Sequence, residues 1–317
     1  MPVSIAVEDE SAWRIFRDQW SLRPDTIYLN HGSFGPPPIV VQQARSRFQQ
    51  ALDAQPMDFF TRQLEPQLDA VRGALGEFVG AAPEKLALVD NATYAMNIVA
   101  ESVPLAHGDE VLLTNHEYGA VKRIWQRACD RAGATVRTVD LPDPIESVDQ
   151  VVAAVAAGFN GRTRLLVVSH ITSPTAVTLP VAELCDAARA AGVAVCIDGP
   201  HAVAQIPLAI EQLGCDFYAA SCHKWLSAPF GSGFLYAHPR WHELIQPPIL
   251  SWGNTNLPIG RRSWRDEFNW SGTRDTSALL AIGSAIDFLR DVGLEPFRQR
   301  TQYLASYARR RLLELTG

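Results

Sequence analysis

The pattern of apolar and polar positions predicts alternating strands and helices through the middle of the chain. Short apolar runs bounded by turn-forming residues predict seven strands, at residues 86–89, 110–114, 135–139, 165–169, 194–197, 217–220 and 233–237. Amphipathic stretches between them predict helices, at residues 95–103, 120–132, 148–157 and 181–191. Such alternation is typical of an α/β fold, a mostly parallel seven-stranded sheet with helices on both faces.

The flanking segments suggest how the domains are organised. Helical patterns at 39–55 and 65–79 precede the first strand, and a loop-rich region at 247–276 precedes a helical pattern at 278–315. We expect three parts: an N-terminal arm belonging to a small domain, a large domain, and the start of a truncated C-terminal small domain. Their boundaries are residues 1–38, 39–288 and 289–317.

Composition removes several classes of function. The formal net charge of −6 and the absence of a long basic run argue against a nucleic-acid partner. The sequence has no run of about 18 apolar residues, so no membrane partner is expected. The acidic N-terminus is unlike a signal peptide, and the five cysteines form no C-x-x-C pair, so a reducing cytoplasmic location is expected. We predict no metal site.

Two charged residues follow predicted strands where ligands of open α/β sheets bind. Asp198 closes one apolar run, and Lys224 follows the run at residues 216–220 within Ser-Cys-His-Lys-Trp. The chain contains only two other lysines, Lys85 and Lys122, and only Lys224 has these partly apolar neighbours. Burial lowers the pKa of a lysine and makes its amine a nucleophile. A turn role for Asp198 and a surface role for Lys224 remain open at this point.

Three further groups of polar residues follow strands. Residues 91–93 open a predicted helix, where free backbone N–H groups bind phosphate, although a plain helix cap has the same pattern. Tyr118 could stack on a planar ring or pack in the core. Residues 169–175 offer hydroxyls and an imidazole, which also suit a simple turn.

Taken together, these groups match the needs of pyridoxal 5′-phosphate (PLP). Its phosphate suits a helix N-terminus, its ring an aromatic face, its pyridine nitrogen a carboxylate, and its aldehyde a lysine. A nucleotide-dependent dehydrogenase would need G-x-G-x-x-G after the first strand, whereas Gly73, Gly76 and Gly80 have the wrong spacing. A cofactor-free Schiff-base aldolase would not need Asp198, and a non-catalytic binding protein would not need Asp198 or Lys224.

The sequence resembles the class V aminotransferase family of fold-type I PLP enzymes. Asp-Gly-Pro-His at 198–201 and Ser-Cys-His-Lys at 221–224 carry this resemblance. The segments at 28–35 and 170–175 are most similar to the isopenicillin N epimerase-like branch. The resemblance implies that Lys224 forms the Schiff base, Asp198 pairs with the pyridine nitrogen, His201 approaches the phenolic oxygen, and Tyr118 stacks on the ring.

The resemblance also implies the remaining parts of the site. The phosphate would be held by Ala92, Thr93, Ser221 and His223, and Ser173 would also contact the cofactor. Gly272 and Thr273 resemble the pair that this family donates to the neighbouring subunit's phosphate, which implies a homodimer with shared active sites. Asn30 and His31 would lie near the substrate. Arg274 is a candidate for binding its carboxylate.

The reaction implied is that of a PLP enzyme acting on an amino acid through an external aldimine and an α-carbanion. The branch favours an epimerase or a C–S lyase, with class V aminotransfer as the alternative. No cysteine occupies the position that a cysteine desulfurase requires, which disfavours desulfurization.

Overall fold

The seven predicted strands form one sheet in a computed structural model, which describes residues 5–253 and 263–317. The strands are β1 Leu86–Val89, β2 Glu110–Thr114, β3 Thr135–Val139, β4 Thr163–Ser169, β5 Ala194–Asp198, β6 Phe217–Ser221 and β7 Gly233–Ala237. The prediction of an α/β fold with a seven-stranded sheet is confirmed. The structure lengthens three of the strands, so that Asp198 and Ser221 are the last residues of β5 and β6 rather than the first residues beyond them.

The order of the strands places four carboxyl ends side by side. The sheet runs β1-β7-β6-β5-β4-β2-β3, and β7 alone is antiparallel to its neighbours. The pairs β6–β5, β5–β4 and β4–β2 are parallel. Side chains at and just beyond the ends of these four strands therefore meet at one edge of the sheet, where ligands bind in this class of fold.

Apart from the edge strand β3, alternate residues of the strands enter two separate hydrophobic cores. In β5, for example, Val195 and Ile197 pack in one core while Ala194 and Cys196 pack in the other. Burial on both faces explains why the strands appear in the sequence as nearly continuous apolar runs.

Helices cover both faces of the sheet, as predicted. Those before and within the strand region are α1 Glu10–Trp13, α2 His31–Phe34, α3 Ile39–Ala54, α4 Pro56–Asp58, α5 Leu64–Val79, α6 Ala92–Ser102, α7 Gly119–Ala132, α8 Val148–Ala156, α9 Val181–Ala190 and α10 Ile210–Leu213. Those after it are α11 Asp266–Asn269, α12 Ser277–Leu280, α13 Ile282–Val292 and α14 Leu294–Thr316. Helices α6 and α7 face the core opposite to that of α5, α9 and α13.

The predicted helical pattern at 278–315 is confirmed, and the structure divides it into α12, α13 and α14. Gly293 has φ of +91°, which ends α13, and α14 begins at the next residue with Pro296 in its first turn. The N-terminal arm packs against this region, with the rings of Trp20 and Phe288 edge to face at 5.5 Å. Among the described residues, no helix is long and apolar enough to cross a membrane.

Candidate active site

A cavity of about 470 Å³ lies at the sheet edge formed by these strand ends. The nine predicted site residues that line it come from five different segments of the chain: Ala92, Thr93, Tyr118, Ser173, Asp198, His201, Ser221, His223 and Lys224. The fold therefore brings the predicted lysine, aspartate, aromatic ring and helix start to one place.

The start of α6 forms one end of the cavity. Asn91 caps the helix by accepting a hydrogen bond from the backbone N–H of Tyr94 at 2.9 Å. The backbone N–H of Ala92 donates to Ser221 Oγ at 2.9 Å, which fixes the helix against the end of β6. Since Ser221 Oγ accepts this bond, its own proton is free to be donated to an anion.

His223 adds a second donor beside this helix start. Its Nδ1 atom is buried and has no hydrogen-bond partner among the described residues. Burial lowers the pKa of His223, and the neighbouring Lys224 cation lowers it further. A buried ring nitrogen without a partner is costly unless a ligand satisfies it. The phosphate of PLP, held by a helix N-terminus, would supply that partner.

Asp198 lines the cavity and is 8% exposed. Burial is the main cause that raises its pKa to about 7; the charge of Glu117 adds to this rise and that of Lys224 opposes it. The carboxylate therefore sits where a cationic partner would stabilise it. The protonated ring nitrogen of PLP is such a partner.

The amine of Lys224 contacts the imidazole of His201, which in turn contacts the indole of Trp225. Its Nζ atom lies 2.9 Å from His201 Nε2, and the indole N–H of Trp225 donates to His201 Nδ1 at 3.4 Å. Burial, then the Lys224 charge, lower the pKa of His201 to about 4, so the imidazole is neutral near pH 7. The contact from Trp225 to Nδ1 favours the neutral tautomer with its proton on Nε2, which would be the donor toward Lys224. Lys224 can accept this hydrogen bond only as a free amine.

The glycine-rich N-terminal segment packs against the lysine. A Cβ atom on Gly35 would lie 2.6 Å from the carbonyl oxygens of both His223 and Lys224. On Gly32 it would lie 3.0 Å from the Trp225 ring. Ser33 and Phe34, between these glycines, line the cavity. The turn-rich segment thus brings the chain close to the lysine loop because it lacks side chains at the points of contact.

Five predicted residues do not line the cavity. Asn30 is exposed, and His31 is half-buried with its Nε2 unpartnered among the described residues. Gly272 has φ of +113° and Thr273 is exposed. Arg274 forms a 2.6 Å ion pair with Asp90, which directly precedes the cap of α6. Their expected roles toward substrate or a partner subunit stay predictions.

The other two lysines are engaged away from the cavity. Lys85 forms a 2.7 Å ion pair with Glu211, and Lys122 donates to the backbone oxygen of Asn115 at 2.9 Å. Neither lines the cavity, so Lys224 supplies its amine.

Sequence reasoning missed two buried polar contacts beneath the site. Glu117 is 3% exposed and accepts hydrogen bonds from Thr114 Oγ1 at 2.7 Å and Ser169 Oγ at 2.6 Å. His170 Nδ1 lies 2.9 Å from the hydroxyl of the fully buried Tyr218. The sequence feature that could have indicated a role for Glu117 is its position after a predicted strand and directly before Tyr118.

The fold and site define a class of protein, the α/β enzymes that bind PLP at the carboxyl ends of a mostly parallel sheet. Comparison with known proteins agrees, because residues 28–317 match the model of the family "Aminotransferase class-V". The chain belongs to the class V aminotransferase family and has the fold of its PLP-dependent enzymes.

The relatives within this family are similar over most of the chain. An isopenicillin N epimerase of Amycolatopsis lactamdurans is 41% identical over 95% of this chain and 79% of its own length. One from Streptomyces clavuligerus is 37% identical over 96% of this chain and 79% of its own length. These similarities support the predicted isopenicillin N epimerase-like branch.

A solved structure of the protein C-DES shows a related fold with cofactor. Its mutant with glycine covalently linked to PLP is 26% identical, with a TM-score of 0.79, over 87% of this chain and 74% of that chain. A second structure describes C-DES as a cystine C–S lyase in complex with cysteine persulfide; it is 25% identical, with a TM-score of 0.76, over 85% of this chain and 73% of that chain.

Proposed function

We propose that this protein binds PLP through Lys224 and acts on an amino acid as an isopenicillin N epimerase-like enzyme, of the epimerase or C–S lyase type. The observation that carries the proposal is one cavity containing the amine of Lys224, the buried carboxylate of Asp198 and the capped start of α6. The identity to two isopenicillin N epimerases supports the epimerase, and the likeness to C-DES supports the lyase.

Each lining residue has a role that follows from its surroundings. Ser221, His223 and the backbone N–H of Thr93 would bind the phosphate at the helix N-terminus, while the N–H of Ala92 holds Ser221 in place to donate its own proton. Tyr118 is 50% exposed at the mouth of the cavity, where its ring would cover one face of the cofactor. When bound, PLP supplies an electron sink for the bond broken at the α-carbon of the amino acid.

Lys224 is suited to two tasks. Burial lowers the pKa of its amine, although Asp198 opposes this, so the amine is more readily unprotonated and nucleophilic. The same Nζ atom would then take the proton from the α-carbon as a general base. His201, neutral and 2.9 Å away, orients this amine. These groups account for proton removal, which epimerisation, elimination and amino transfer share.

The homodimer with shared sites also belongs to this proposal. Thr273 is exposed, and its neighbour Arg274 is tied to Asp90 beside the start of α6. Thr273 therefore lies on the accessible surface near the proposed phosphate end and is free to reach a second subunit.

The experiment that tests the proposal is an absorption spectrum of the purified protein with added PLP, followed by borohydride reduction and peptide mapping. We expect a yellow lysine-bound form and reduced cofactor on the peptide that contains Lys224. Label on Lys85 or Lys122, or no colour, would instead favour a non-catalytic binding protein.

The reaction type requires a second assay on the same preparation. Amino acids would be screened for loss of optical purity, for release of sulfide with a 2-oxo acid, and for amino transfer to added 2-oxo acids. Epimerisation or C–S cleavage would support the proposal. Amino transfer as the fastest reaction would assign the protein to the aminotransferase alternative.

A further inference from the structure

A second buried carboxylate lies next to the proposed active site. Glu117 follows β2 and is 3% exposed. Each of its carboxylate oxygens accepts a hydroxyl, one from Thr114 at 2.7 Å and the other from Ser169 at 2.6 Å. Glu117 does not line the cavity, so it is placed to act through a neighbour rather than on a substrate.

Ser169 connects Glu117 to Asp198: its hydroxyl donates to Glu117, and its strand pairs with the strand of Asp198. Ser169 ends β4 and is the register partner of Asp198 at the end of β5. Neighbouring strands lie about 4.8 Å apart, and both of these residues face the same cavity. The hydroxyl of Ser169 therefore lies between the strand that carries Asp198 and the carboxylate of Glu117.

Two hydroxyl donors solvate the carboxylate of Glu117. Its pKa is raised overall, because burial outweighs the hydroxyls of Ser169 and Thr114 and the charge of Lys122, which lower it. An ionised carboxylate only accepts hydrogen bonds, and both oxygens of Glu117 are already occupied by donors. The arrangement is suited to a carboxylate rather than a carboxylic acid.

The charge of Glu117 is one of several that act on Asp198. The titratable groups around Asp198 are Glu117 after β2, His170 after β4, Cys196 on β5, His201 after β5, Tyr218 on β6 and Lys224 after β6. Lys224 opposes the effect of Glu117, and the pKa of His201 is about 4, which leaves that ring uncharged near pH 7. Glu117 is the acidic side chain that raises the pKa of Asp198.

We propose that Glu117 is a positioning residue that keeps the ring nitrogen of bound PLP protonated, by placing a second buried negative charge behind Asp198. The inference rests on the proposed function, in which Asp198 pairs with that nitrogen. Two negative charges on one side of the ring raise the proton affinity of the nitrogen more than Asp198 alone. Glu117 thereby strengthens the electron sink without touching the cofactor or the substrate.

The test is the pH titration of the holoprotein loaded with PLP that carries ¹⁵N in its ring. The ¹⁵N chemical shift reports directly whether the ring nitrogen is protonated, and it needs no substrate. In Glu117→Gln, which keeps the shape but removes the charge, the midpoint should fall by about one pH unit. An unchanged or higher midpoint would overturn the proposal.

Glu110→Gln is the matched control. Glu110 is 4% exposed and begins β2, the strand that Glu117 follows, so it lies at the opposite end of that strand, paired with Arg137 and Arg162. Its replacement also removes a buried charge and should leave the ¹⁵N midpoint unchanged. An equal fall in this control would mean that Glu117 has no specific effect on the ring, and would also overturn the proposal.

A second variant covers the case in which Glu117→Gln does not fold. Ser169→Ala removes one of the two donors to Glu117, favours its neutral form, and should lower the midpoint by a smaller amount. A midpoint that stays at the wild-type value would then refute the inference. Failure of the wild-type protein to take up PLP would refute the proposed function itself, so the two failures are distinguishable.

Discussion

His201 Nε2 lies 2.9 Å from Lys224 Nζ, and the imidazole is the donor of this pair when its proton is on Nε2. Trp225 fixes this arrangement by donating its indole N–H to the other ring nitrogen of His201. Burial lowers the pKa of both His201 and Lys224. The surroundings of Lys224 therefore favour its nucleophilic, unprotonated form already in the protein without cofactor or substrate.

Replacement of Lys224 by alanine should abolish covalent cofactor binding and leave the fold intact. The loss of the general base alone should lower turnover by about 10²–10⁴-fold, and the loss of the covalent link should lower it further. The measurements are the absorption spectrum with PLP and the rate of loss of the substrate's optical purity. Lys85→Ala is the matched control, because Lys85 is paired with Glu211 and does not line the cavity. Normal turnover in Lys224→Ala would refute the assignment of the lysine.

Much of this site could be predicted from the sequence because its residues follow strands. Burial on both faces makes β5 and β6 nearly continuous apolar runs, so Asp198 and Lys224 are recognisable where these runs end. Contacts between distant segments could not be predicted in this way. The bond from Ser169 to Glu117 spans 52 residues, and the approach of Gly35 to Lys224 depends on the path of the N-terminal arm.

Replacement of Asp198 by asparagine should change how the stability of the apoprotein depends on pH. In the folded state the pKa of Asp198 is raised from 3.8 to about 7, so the folded state holds a proton that the unfolded state releases. Wild-type stability should therefore fall as pH rises from about 4 to about 7, with an upper limit of about 4 kcal/mol from this group.

Asparagine cannot ionise, so Asp198→Asn should lose this part of the pH dependence and be more stable than wild type at pH 8. Urea unfolding of both apoproteins at pH 5 and pH 8 measures the difference. The same variant should lose most activity with PLP, because asparagine cannot balance a protonated ring nitrogen. Identical pH dependence in the two proteins would contradict the raised pKa.

Replacement of Gly35 by alanine should disturb the lysine loop. The new Cβ would lie 2.6 Å from two carbonyl oxygens, so one segment must move, at a cost of about 1–3 kcal/mol. We expect a lower urea midpoint and slower covalent capture of PLP by Lys224. Gly283→Ala is the control, since Gly283 lies in α13 with nothing within 4 Å of its Cβ position, and alanine there should be neutral or stabilising. Equal effects of the two variants would exclude a specific contact.

Complementation between subunits tests the shared active site. Thr273→Asp places a negative charge where the partner subunit's phosphate is expected, so it should inactivate the active site of the partner subunit. Lys224→Ala should instead inactivate the active site of the subunit that carries it. If sites are shared, each hybrid dimer keeps one intact site, and an equal mixture after subunit exchange should recover about a quarter of wild-type activity. Mixing Lys224→Ala with the double variant Lys224→Ala/Thr273→Asp is the control and should recover none. An active monomer in light scattering would contradict sharing.

Replacement of Trp225 by phenylalanine removes the donor that fixes His201. The imidazole is then free to carry its proton on Nδ1 and to accept a hydrogen bond from a protonated Lys224, which stabilises the charged amine. The pKa of Lys224 should rise by less than about one unit, because one ordinary hydrogen bond contributes about that much free energy. The measurement is the rate of covalent PLP capture as a function of pH, whose midpoint should move to higher pH while the plateau is kept. Trp13→Phe, on the N-terminal arm, is the control and should not move it. A midpoint unchanged in Trp225→Phe would show that Trp225 only packs against His201 and does not set the proton between His201 and Lys224.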